Sequence, residues 1–368
     1  MFTASEKITP LTFEKTDIST FKEDPYLGNN IPLLLQLKGF NRRERIKRRN
    51  DQMVKGESGS PTERKIAEGA LYVVDNLQGC DFLSANNAVF ELTLPDPRGM
   101  AVSDTDLFIG SVNQILRLQE NGSTSVIKYP WFAFIHSLQL SNDSQKILIT
   151  SPGFDRIIEM ETNTAIPVWE WSAWDHGYDK THSSGKKIFS EFISPKDFTS
   201  GLGLPPGDRT AFPNSAVYLN DKTILATLFY DGIIKIDKET GQATPVLENL
   251  SHPHGIRKYN GGFIVTNSGS GTVLIMNDQL RVTQELSFNN LPYKSKEAGS
   301  TEWLQNVIPL NSNLLAVIDS NRASIFIVNL RNKSMRRIPY DPDWVIQEVA
   351  PISSRTQFFQ NTNSFHNS

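Results

Sequence analysis

The chain has 368 residues, 38% hydrophobic and 21% charged, with a formal net charge of −3. That balance is ordinary for a globular protein and argues against nucleic acid or an anionic membrane as the main partner. The single cysteine, Cys80, excludes an internal disulfide framework.

Residues 1–65 do not resemble the rest of the chain and read as an N-terminal arm and linker. The first residues lack the basic and apolar segments of a secretory signal, and no stretch of about 18 apolar residues offers to span a bilayer. A cytoplasmic location is the default expectation. Ile31-Pro-Leu-Leu-Leu-Gln-Leu37 is a short apolar patch able to pack on the body of the fold. Arg42-Arg-Glu-Arg-Ile-Lys-Arg-Arg49 is a basic run, read as a solvated helix face or mobile arm, with a binding arm for an acidic partner as the alternative, and Lys55 to Pro61 reads as a flexible linker.

From about residue 66 strands begin. Ala70–Asp75 and Val89–Leu94 precede the first of six similar turns: Pro97-Arg98-Gly99-Met100, Ile135-His136-Ser137-Leu138, Pro213-Asn214-Ser215-Ala216, Pro253-His254-Gly255-Ile256, Leu304-Gln305-Asn306-Val307 and Ile346-Gln347-Glu348-Val349. Each turn offers a polar side chain, then a second residue that is usually small, then an apolar strand. Most copies continue into further strands. A unit of about 40 to 50 residues with several short strands is the signature of a β-propeller. The expected fold is therefore all-β, a six-bladed propeller over 66–360, with a disordered tail at 361–368. One blade is shared between the ends of the chain. Its outer half is 70–94, and Val345–Ala350 and Thr356–Phe359 supply the inner half, which closes the ring without open edges.

In a propeller the first strand of each blade lines a central channel. Arg98, His136, Asn214, His254, Gln305 and Gln347 are thus expected as one ring around its mouth. Polar side chains converging on an axis need water or a ligand to satisfy them. An arginine supplies an anion fork, and histidines act as nucleophiles or proton carriers. The long segment Ser172–Phe212 is expected on the same face as a lid carrying Asp175, His176 and Tyr178. Shorter loops near 292–302 and 340–343 open there too, as do the hairpins at Tyr230 and at 319–322. Tyr230, His252 and Trp303 complete the expected substrate-binding set. Trp169 and Trp171 alternate like a strand and read as packing. Asn267-Ser-Gly-Ser-Gly-Thr272 reads as a hairpin turn, and there is no phosphate-binding glycine loop, His-Glu-x-x-His or nucleophile elbow.

Val168-Trp-Glu-Trp171, Asp175-His176 and Phe212-Pro-Asn-Ser-Ala-Val217 resemble, in order and kind, motifs of bacterial arylsulfotransferase-type propellers over about residues 98–330. The turn before Asn214 departs from that pattern, with Phe212-Pro213 in place of a histidine. The resemblance implies group transfer between phenols without metal or other cofactor. His254 and His136 would be nucleophile and general acid/base, and Arg98 the anion clamp. The partner is then a small, aromatic, anionic molecule. Two histidines in opposite protonation states imply a bell-shaped pH profile around neutrality. Two other classes stand beside this one. A metal-dependent lactonase or lyase needs several oxygen or nitrogen ligands, and the ring offers no aligned carboxylate, only Glu348 one residue along. A non-catalytic binding or assembly propeller needs none.

Overall fold

The computed structural model describes residues 13–55, 57, 65–197 and 202–352. Among these, six sheets form six blades, each built on four antiparallel strands. Blade 1 is β6 (Met100–Val102), β7 (Asp106–Gly110), β8 (Gln114–Gln119) and β9 (Thr124–Lys128). Blade 2 is β10 (Ser137–Leu140), β11 (Lys146–Ser151), β12 (Arg156–Glu161) and β13 (Pro167–Ser172). Blade 3 is β14 (Pro213–Asn220), β15 (Thr223–Leu228), β16 (Gly232–Asp237) and β17 (Ala243–Glu248). Blade 4 comprises β18 (Pro253–Tyr259), β19 (Gly262–Asn267), β20 (Thr272–Met276) and β21 (Val282–Ser287). Blade 5 comprises β22 (Leu304–Pro309), β23 (Leu314–Asp319), β24 (Ser324–Asn329) and β25 (Ser334–Pro339). The innermost strands touch in sequence and β26 (Ile346–Pro351) returns to β6, which closes the ring.

Blade 6 corrects the expected domain boundary. Its order is β26, β3 (Leu33–Leu37), β4 (Glu68–Val74) and β5 (Phe90–Pro95). The outer half and the innermost strand are as expected, but the second strand comes from within residues 1–65. Leu33, Leu34, Leu35 and Leu37 have no exposed surface. A second strand is covered on both faces by neighbouring blades, so it reads as a continuous apolar run, whereas the outermost strand β5 alternates half-buried and exposed. The expected strand at 356–359, most of the 55–61 linker and the 361–368 tail lie outside the described residues.

The rest of the N-terminal segment is also built into the disc. β1 (Glu14–Asp17) adds a parallel fifth strand to blade 4 beside β21, and β2 (Lys22–Glu23) does the same for blade 5 beside β25. Between β3 and β4 the basic run forms α1 (Arg42–Val54). No helix among the described residues is long and apolar enough to cross a membrane.

Candidate functional site

Four of the six repeated turns share a backbone device. Two residues before the ring position, Asp96, Phe134, Phe212 and His252 all have positive φ, between 39° and 56°. Non-glycine residues adopt this region only where their surroundings hold them there. The device turns the chain inward so that the ring residue meets the channel, while the −2 side chain forms a layer above it.

All six ring residues are buried together: Arg98, His136, Asn214, His254, Gln305 and Gln347. They bond largely from blade to blade. His136 Nδ1 donates to the Asn214 carbonyl at 2.9 Å, and Asn214 Nδ2 donates to that of Pro253 at 2.7 Å. Gln305 Nε2 donates to Gln347 Oε1 at 3.2 Å. Arg98 departs from the role of free clamp. Its guanidinium is committed to Asp96, with Nη2 donating to Oδ2 at 2.8 Å inside a buried pair.

His254 Nδ1 donates to the His252 carbonyl at 2.8 Å and lies 3.0 Å from Ser268 Oγ. That pairing fixes the ring proton on Nδ1 and leaves the lone pair on Nε2. Burial, with Lys38, His252 and Arg49 nearby, pushes His254 down to about 3. The ring is therefore neutral at physiological pH, which removes it as the acid limb of a bell-shaped profile near neutrality. Its ring centre is 5.5 Å from that of His136, 5.5 Å from Phe229 and 5.6 Å from Trp303. Below the ring, His136, Asn214, His254 and Gln347 line a narrow cavity that continues past Asn306 to Glu348. Arg257 there pairs with Glu348.

Above the ring the walls are aromatic. Phe212 and Phe229 are 4.9 Å apart, His252 lies 4.6 Å from Phe229, and Trp303 lies 5.5 Å from His252. Tyr230 joins Phe229 at 5.1 Å and stacks on His182 at 4.0 Å. Tyr230, His252 and Trp303 thus belong to one aromatic layer with Phe229.

Three expected residues do not. Asp175 is exposed and accepts a hydrogen bond from Ser190. His176 stacks on Trp171 at 5.6 Å, and Tyr178 packs edge-on against the same ring at 6.1 Å. Trp171 Nε1 in turn donates to the Gly241 carbonyl of blade 3, and Trp169 Nε1 to that of Lys238. The two tryptophans pack between blades, as expected, and they hold His176 and Tyr178 at the outer edge. The other part of the 172–212 segment does reach the ring face. Trp174, Ile188 and Leu204 pack with Ala133 and Phe154 of blade 2, and the segment delivers Arg209.

Arg209 is fully buried. Its guanidinium lies 4.9 Å from the Phe212 ring centre and 5.5 Å from that of Phe134, while Arg98 lies 5.6 Å from the same Phe134 ring. Nε donates to the Leu204 carbonyl, but Nη1 and Nη2 meet no acceptor among the described residues.

α1 caps this assembly. Arg42 Nη1 donates to the Ser320 carbonyl and Nε to that of Pro342, which ties the helix start to the loops of blades 5 and 6. Arg49 lies over Trp303, 3.5 Å from the ring centre, and its buried Nη1 has no acceptor among the described residues. Ahead of the helix, buried Lys38 donates from Nζ to Gln347 Oε1 at 2.5 Å and to Gln305 Oε1 at 3.4 Å. Burial and the Arg98 charge hold the Lys38 ammonium well below its usual range. Sequence reasoning missed Lys38, Arg49, Arg209, Phe134 and Phe212. The two phenylalanines carried a signal, since both sit at the −2 position of the repeat. The basic run carried one too, but nothing local showed which face it would cover.

The described residues contain no grouping of three His, Cys, Asp or Glu side chains suited to a metal ion. No protein-family model matches the chain, and no curated protein matches it. Solved structures do. A Bacteroides caccae protein of unknown function matches with TM-score 0.57 and 11% identity, over 88% of this chain and 100% of that one. A chain of a nidogen/laminin complex matches with TM-score 0.52 and 11% identity, over 88% and 99%. Virginiamycin B lyase from Staphylococcus aureus matches with TM-score 0.45 and 14% identity, over 66% and 69%. The chain is a six-bladed β-propeller. At these identities the first two likenesses carry the fold alone, and none of the three shows an arylsulfotransferase-like identity.

Proposed function

We propose that the channel mouth is the substrate site of an enzyme that acts on a small aromatic anion by group transfer, with His254 as the reactive residue. The observation behind this reading is the setting of His254: a neutral imidazole with its lone pair on Nε2, enclosed by His136, Phe229 and Trp303. Buried cations adjoin it, and their preorganised charge stabilises an anion in a site that excludes water. The aromatic layer suits an aryl group. In the step proposed, Nε2 attacks the transferred group and the bond from that group to the aryl oxygen breaks. The leaving oxygen keeps the electron pair and takes a proton from Lys38. An acceptor hydroxyl then displaces His254, and its proton returns to Lys38.

The test is turnover of 4-nitrophenyl sulfate, phosphate and acetate by wild type and His254→Ala. Loss of roughly 10²- to 10⁴-fold at an unchanged melting temperature is the expected result. Equal turnover by His254→Ala, or loss of wild-type turnover on chelation, overturns it. A second reading is a propeller that binds the same ligand without reacting. The blade-to-blade bonding of His136, Asn214 and Gln305 favours it, because these groups already have structural partners. Tight binding of aryl anions with no turnover of any of them would select this second reading.

A further inference from the structure

Arg98 and Arg209 place two guanidinium groups against one phenylalanine ring, Phe134. Of the two, only Arg98 has a carboxylate bonded to it among the described residues. The carboxylate whose charge acts on Arg209 is Asp155, but its oxygens are bonded to Trp174 Nε1, the Thr210 amide and hydroxyl, and the Phe212 amide. Arg209 is thus a fully buried cation whose two terminal nitrogens are unpaired among the described residues. Such a group is costly unless an anion joins it. The N-terminal segment adds more positive charge over the same mouth, with Lys38 and Arg45 both feeling the Arg98 charge.

We propose that Arg209 is the seat of a compact oxyanion of the phosphate or sulfate class, held beside the Phe134 and Phe212 rings, and that its binding tightens α1 over the channel. This rests on the mouth being the binding site proposed above and on no reaction there. The two terminal N–H groups form the fork that such an oxyanion accepts from. The anion offsets the repulsion between Arg209 and Arg98, and Arg98 in turn repels Lys38 and Arg45, so whatever binds it also favours the docked helix, and the coupling is reciprocal.

The test uses the full chain, with calorimetric titration by inorganic phosphate, inorganic sulfate and phenyl phosphate, and hydrogen exchange over residues 42–54. Wild type should bind, with slower exchange in α1 when phosphate is present. Arg209→Met should weaken binding roughly 10- to 100-fold, as expected for losing charge-assisted hydrogen bonds, and Arg209→Lys should fall between. Tighter binding of phenyl phosphate than of phosphate identifies the seat as part of a substrate site; equal binding identifies a free anion. No binding to wild type, or wild-type affinity in Arg209→Met, overturns the proposal. If Arg209→Met fails to fold, then wild-type affinity in both Arg209→Lys and Arg45→Ala overturns it, and weakened affinity supports it. Phosphate binding by wild type without turnover of any aryl ester leaves the anion seat standing while the proposed reaction fails, so the two are judged separately.

Discussion

The guanidinium carbon of Arg49 lies 3.5 Å from the centre of the Trp303 ring, so a residue of the N-terminal helix stands on the wall of the channel mouth. A cation over an indole contributes about 0.5 to 2 kcal/mol, more when desolvated. Arg49→Ala should loosen α1 by about that amount. The measurement is hydrogen exchange, with faster exchange expected over residues 42–54 and none of the blade strands affected. Unchanged exchange in α1 would show that the contact does not hold the helix.

His254 makes stability depend on acid. Its pKa is about 3 in the fold, against 6.5 for the ordinary group. Between those values the unfolded chain binds a proton that the folded chain refuses, so stability rises with pH across that window and is lost as pH falls from about 6.5 toward 3. The slope for one group is about 1.4 kcal/mol per pH unit. Urea unfolding of His254→Asn between pH 7 and 4 should show an acid loss shallower by one proton's worth. An identical slope in wild type and variant would refute the assignment.

Gly255 has φ +62°, and a Cβ built there would lie 1.8 Å from Asn306 Oδ1. The space that glycine leaves is filled by the Asn306 side chain of the neighbouring blade. Gly255→Ala should cost about 1 to 3 kcal/mol from backbone strain and the clash together. The double variant with Asn306→Ala should recover the clash part only. A fully additive pair of losses in denaturant would mean that the two residues do not meet.

Leu35 of β3 is fully buried and pairs with Val349 on one side and Tyr72 on the other. Leu35→Ala should destabilise the whole propeller by about 2 to 5 kcal/mol, as for other large-to-small core changes. A chain lacking residues 1–40 should fail to fold, because β26 and β4 lose the strand between them. Chemical denaturation of the variant and circular dichroism of the truncation check both. A stable, cooperative truncation would restore the reading of this region as an arm.

The number of blades and the identity of the ring were legible because both repeat. The polar-small-apolar turn recurs with each blade, and every ring residue it marked stands at the channel. His252 and Trp303 each lie two residues before a ring residue, and Tyr230 ends a hairpin read as reaching the same face. Asp175, His176 and Tyr178 were not legible. They lie in a long irregular segment where spacing says nothing about direction, and the Trp171 ring draws His176 and Tyr178 to the rim.

By itself the sequence determined the local pattern: apolar runs short enough to be strands, turns that repeat, and polar side chains at one point of each repeat. Only the tertiary structure decided the partners of that pattern. Leu33–Leu37 is as strand-like as any other run, but its neighbours β26 and β4 belong to opposite ends of the chain and meet only when the ring closes. The basic run of α1 gives no local sign that Arg49 covers Trp303 or that Lys38 reaches Gln347, since those contacts join residues 254 and 309 positions apart. Arg209 looks like any surface arginine until Phe134 and Phe212 enclose it. Periodicity is written along the chain, whereas burial and charge balance are sums over everything the fold brings near, and these sums place the cations at the mouth.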